Sequence, residues 1–170
     1  METTAPSTRT LNLADKSPKT MYANAVVADH YHCEIAAPVT AAEAFDKITR
    51  VGEWWVTKFE GRARALNDVF TVRFGGESFV TFRVTGVVPN VEAVWTVTDC
   101  YLGMLKDRTE WTGTTVVWMI TESDRETRIQ FAHVGIMPAV ECYEMCVKGW
   151  DQYVKGSLFQ LLTENMGQPS

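Results

Sequence analysis

The sequence predicts an α+β fold in which an antiparallel meander packs against one long C-terminal helix. Two observations carry that expectation. Between Asp68 and Val134 apolar residues recur with a period near two, the mark of half-buried strands. After Pro138, no breaker stronger than glycine appears until Gly167 and Pro169, so the helical pattern there has room for about 28 residues, on the order of 42 Å at 1.5 Å per residue. At 170 residues the chain suits one domain, which would bury roughly 70% of its unfolded surface.

Taken in order, the opening stretch METTAPSTRTLNLADKSPKT has no continuous apolar run, which argues against a secretory signal or a membrane anchor. Its Thr, Ser and Pro content predicts a disordered tail over residues 1–23, with a single domain over residues 24–170. HYHCEIA, residues 30–36, alternates as a first strand with Cys33 and Ile35 on one face, and Pro38 ends it. Thr40 and Glu43 stand at capping-box spacing, so a short helix begins near Ala41 with Ala44, Phe45 and Ile48 on its apolar face. RVGEWWVTKF follows as a second short helix carrying Trp54 and Trp55.

Strands follow with their inward residues alternating: Phe70, Val72 and Phe74; then Val80, Phe82 and Val84; then VEAVWTV running toward Tyr101. Thr114, Val116, Trp118 and Ile120 share a face of the next strand. ESDRE supplies a polar turn, and Ile129, Phe131 and His133 face inward on the last strand. On the C-terminal helix, Tyr143, Cys146, Trp150, Tyr153, Val154, Leu158, Leu161 and Leu162 form the apolar stripe.

The chain is 46% apolar and 22% charged, which excludes a disordered protein, and its six tryptophans need a core to pack in. A net charge of −5 with no lysine or arginine run argues against nucleic acid and anionic membranes as partners. Cys33, Cys100, Cys142 and Cys146 show no zinc-type spacing and are expected to be free, buried thiols in a reducing cytoplasm.

Strand, two short helices, meander and long helix make a helix-grip arrangement. Gly113-Thr114 leading into Val116 and Trp118, then Thr127, Ile129, Phe131, His133 and Gly135, then Cys146, Gly149-Trp150, Tyr153, Ser157-Leu158, Gly167 and Pro169, resemble the START-like (Bet v 1-like) SRPBCC superfamily. Within it the likeness is to the AHSA1-like branch, named after activators of Hsp90 ATPase, and it runs from about residue 29 to 169. The resemblance implies a curved sheet wrapped around the long helix with an apolar cavity between them. Members bind lipids, hormones or aromatic compounds, some are cyclases or dehydratases, and some are co-chaperone domains linked to the stress response. The superfamily has no universal catalytic residues, so the likeness assigns none here. The eukaryotic co-chaperone also has a separate N-terminal activating domain, which the tail of this chain does not replace.

Trp55, Trp95, Trp118, Phe131, His133, Tyr143, Cys146, Trp150 and Tyr153 are the residues that would line such a cavity. Each aromatic ring taken singly is better explained as core packing than as ligand contact. His133 could fix a ligand carbonyl or act as general acid or base; the alternative is a core histidine bonded to backbone. Cys142 and Cys146, four apart on a helix, could join His133 as three metal ligands, but the sequence offers no fourth, so no metal and no cofactor is expected. Asp99 and Glu110 flank Tyr101 and could serve as acid and base at a pocket mouth, or be solvated loop charges. Gly149 and Gly156, seven apart in a helix, each cost about 1 kcal/mol relative to alanine, which a crossing strand or a ligand against bare backbone would explain. The leading expectation is binding of a small hydrophobic or aromatic ligand. The alternatives are a cyclase or dehydratase using the same pocket and an Hsp90 co-chaperone-like interaction domain, with a homodimer compatible with each.

Overall fold

The computed structural model describes residues 17–170. Its elements run α1 (Pro18–Val27), β1 (Tyr31–Ala37), α2 (Ala41–Thr49), α3 (Val51–Trp54), β2 (Phe59–Gly61), β3 (Val69–Arg73), β4 (Phe79–Val88), β5 (Glu92–Tyr101), β6 (Thr115–Glu122), β7 (Thr127–Val134), then α4 (Tyr143–Trp150), a π-helical stretch (Asp151–Leu158) and α5 (Phe159–Glu164). The strands form one antiparallel sheet in the order β1-β7-β6-β5-β4-β3-β2. Two register shifts between β4 and β5, at Thr81/Phe82 and Val84/Gly86, add bend where the meander must curve around the helix.

The period-two reading of the sequence gives the inner face. Phe131 of β7 pairs with Cys33 on one side and Trp118 on the other, and His133 pairs with Tyr31 and Val116. Phe70, Phe82, Trp95, Trp118 and Phe131 are fully buried, each worth roughly 1.5–3 kcal/mol of apolar transfer. Their rings meet edge to face or stacked at centroid separations from 4.6 to 6.1 Å. Among the described residues Trp95 and Trp118 have no acceptor for their buried indole N–H groups, and both rings pack in T-shaped contacts with neighbouring aromatics. The capping box at Thr40 and Glu43 is formed, with Thr40 Oγ1 accepting from the Glu43 amide at 3.1 Å.

Two expectations are corrected. Residues 17–23, read as tail, are the cap and first part of α1: Ser17 caps the helix by accepting from the Thr20 amide, and Pro18 occupies its first turn. Residues 1–16 of that expectation lie outside the described residues. α1 packs on the outer face of the sheet against β1, β6 and β7, where Ala25, Val94, Val117 and Ala132 are buried apart from the main core. The C-terminal helix starts at Tyr143 rather than near Pro138. The amides of Glu141 and Cys142 are held by the Glu110 carboxylate at 2.8 and 3.2 Å, and Val140 and Tyr143 close tight turns onto Met137 and Val140, so no regular helix forms there. Among the described residues no helix is long and apolar enough to cross a membrane.

Candidate functional site

A cavity of about 250 Å³ opens where the first turns of the C-terminal helix meet the β5–β6 loop and the residue after α3. Cys142, Cys146, Gly149 and Tyr153 recur on one helix face and make one wall. Leu102, Met104, Leu105 and Trp111 make the other, from a loop folded back by hydrogen bonds from Leu102 N to Arg108 O and Leu105 N to Leu102 O. Phe74 and Trp55 close the side. Met104 and Met145 are about half exposed, flanking the mouth with flexible apolar chains.

Its floor is three tryptophans. Trp150 lies 4.7 Å from Trp55 and stacks on Trp111 at 6.0 Å, so these rings face the cavity on one side and the core on the other. Behind them sits His133, fully buried. The Trp150 Nε1–H donates to His133 Nδ1 at 3.1 Å, which puts the imidazole proton on Nε2, where it donates to Thr114 Oγ1 at 2.8 Å; the Thr114 hydroxyl in turn donates to Trp111 O. Trp111 also stands edge-on to the imidazole at 4.7 Å. Burial, and to a lesser degree His30, pushes the His133 pKa down to about 3. Both ring nitrogens are therefore occupied and the ring is neutral. It holds the tryptophan floor in place and does not reach the cavity.

The proposed lining residues separate into two groups. Trp55, Cys146, Trp150 and Tyr153 do line the cavity. Trp95, Trp118, Phe131 and His133 are packed in the core behind it, and Tyr143 lies half-buried on another side of the helix. The Tyr153 hydroxyl is engaged with Ser170 Oγ at 2.6 Å. Glu110 is used as a backbone cap for the helix start, and Asp99 is exposed in a surface depression with Glu77, Phe79, Cys100 and Tyr101; neither lines the cavity. No strand crosses either helix glycine: a Cβ built on Gly149 or Gly156 would meet nothing within 4 Å, and Gly149 is part of the cavity wall.

Missed in the sequence were Phe74 as a wall residue and the whole loop wall of Leu102, Met104, Leu105 and Trp111. The available signal was a loop holding three large apolar residues and a tryptophan, more than a solvated turn needs.

All four cysteines are free and buried. Cys142 accepts from the Trp111 Nε1–H at 3.3 Å. The neighbouring Cys146 thiol and the Trp111 indole N–H hold the Cys142 thiol below its ordinary range, while the Cys142 neighbour and burial push Cys146 up. Among the described residues no three His, Cys, Asp or Glu side chains come together as a metal site.

No family model matches the sequence, and no curated protein does. Solved structures resemble it in fold. The Aha1 dimer from Colwellia psychrerythraea superimposes with a TM-score of 0.63 at 18% identity, covering 78% of this chain and 95% of the other. MLL2253 from Mesorhizobium loti gives 0.61 at 18% identity, over 78% and 96%. DynU16, from the dynemicin biosynthetic locus, gives 0.62 at 17% identity over 82% of this chain and 49% of DynU16. The chain thus has the helix-grip fold of AHSA1-like SRPBCC proteins.

Proposed function

We propose that the chain binds a small apolar molecule, aromatic by preference, in the cavity above the Trp55, Trp111 and Trp150 floor. The observation that carries this reading is a preformed opening into the fold whose walls are tryptophan, leucine, methionine, phenylalanine and cysteine side chains. About 250 Å³ is near the small end of ligand pockets, which run from roughly 300 to 1,000 Å³ and favour here a one- or two-ring compound over a sterol. Among the described residues no carboxylate or imidazole lines the cavity, so the acid–base chemistry of a cyclase or dehydratase lacks its usual groups and binding is the better reading. The Colwellia relative is a dimer, and self-association of this chain is proposed on that likeness alone.

Thermal denaturation with 1-naphthol, dodecanoic acid and cholesterol tests the reading. At one hundred times its dissociation constant a ligand adds about 2.7 kcal/mol, which should raise the melting temperature by roughly 5–11 °C. Gly149→Met adds a side chain where a Cβ meets nothing within 4 Å, so it should leave the fold intact and abolish the shift. A shift that persists in Gly149→Met, or none with any probe, sinks the assignment of this cavity.

A further inference from the structure

We propose that Cys142 and Cys146 form a two-thiol site, opening on the cavity, for a soft trivalent centre that takes two sulfur ligands and keeps one apolar substituent, the chemistry of an organoarsenic(III) compound. Both cysteines line the cavity and stand four residues apart at the helix start, on one face of its first turn. Two adjacent thiols satisfy such a centre completely, whereas zinc needs four ligands and no third His, Cys, Asp or Glu joins the pair among the described residues.

The surroundings supply what the third substituent needs. Gly149, one turn beyond Cys146, leaves the wall as bare backbone with open space in front of it, and beside it lie the faces of Trp111 and Trp150 and the Tyr153 ring. The Trp111 indole N–H, which donates to Cys142 Sγ at 3.3 Å, favours a Cys142 thiolate, the form that attacks first. With hydrated phenylarsine oxide as probe, two As–OH bonds break and two As–S bonds form. Arsenic stays trivalent, each thiol proton leaves with a hydroxyl, and two waters are released.

The test uses the reduced full chain with one equivalent of phenylarsine oxide, read by intact mass and by tryptic mapping. Ile129 to Lys148 is a single tryptic peptide that holds Cys142 and Cys146 and neither Cys33 nor Cys100. The expected result is one phenylarsenic group per chain, bridged within that peptide. Cys142→Ser and Cys146→Ser should each bind roughly 100-fold more weakly, since a chelate becomes a single bond, while Cys33→Ser and Cys100→Ser bind as before. The mapping needs no variant to fold. Arsenic on a peptide carrying Cys33 or Cys100, no adduct on the native chain, or unweakened binding in either helix-thiol variant overturns the proposal. Cavity binding of 1-naphthol without phenylarsenic uptake would leave the general ligand reading standing and remove only this one.

Discussion

At the scale of single residues, His133 shows how a polar side chain in an apolar row is explained by its partners. Protonating it would break the bond it accepts from Trp150 and bury a charge, so the folded state holds it neutral down to about pH 3. The sign follows directly. Unfolded, it takes up a proton near pH 6.5; folded, it does not, so stability is full above that value and falls with pH toward 3. One proton corresponds to about 1.4 kcal/mol per pH unit, giving a loss of about 2 kcal/mol between pH 7 and pH 5. His30, also shifted down by burial, adds in the same direction. Urea denaturation at stepped pH should show this slope in the parent and a flatter one in His133→Asn; an unchanged slope would assign the pH dependence elsewhere.

At the scale of elements, the cavity mouth depends on two carboxylates that cross-cap each other's backbone. Glu110 accepts from the amides of Glu141 and Cys142, while Glu141 accepts from those of Lys106 and Asp107. The β5–β6 loop and the helix start are thereby fastened across the opening. Glu110→Ala should cost about 1–2 kcal/mol, the usual price of a lost cap, and let acrylamide reach Trp111 more readily. Equal quenching in parent and variant would show that packing alone holds the loop.

These elements also mark what the sequence could show. Period-two alternation named the inward residues of β3 to β7 because a strand face is written residue by residue. It carries no depth, so Trp118 and Phe131, mid-sheet, were indistinguishable from residues at the cavity end. The helix was legible from its apolar stripe, but its start was not, because the groups that hold back residues 138–142 come from Glu110, distant in sequence.

At the scale of the whole molecule, the least legible part is the third layer. α1 has only Ala25 buried and no apolar stripe, so the periodicity that reveals an amphipathic helix is missing, and Ser17-Pro18 was its only sign. Yet the outer face of the sheet needs cover, because Val94, Val117 and Ala132 are buried there beside β5, β6 and β7 neighbours and away from the main core. Tyr22 adds an edge-on contact to His32 at 6.3 Å. Re-exposing two valine-sized side chains costs roughly 3 kcal/mol or more. A chain beginning at Asp29 should therefore lose about that much stability in denaturant and expose an apolar patch that binds a hydrophobic dye, while a chain beginning at Ser17 keeps α1 and its cap. If both truncations have the same denaturation midpoint, α1 is an ornament on a two-layer fold; if they differ as expected, the sheet is covered on both faces and the cavity is carried by three layers rather than two.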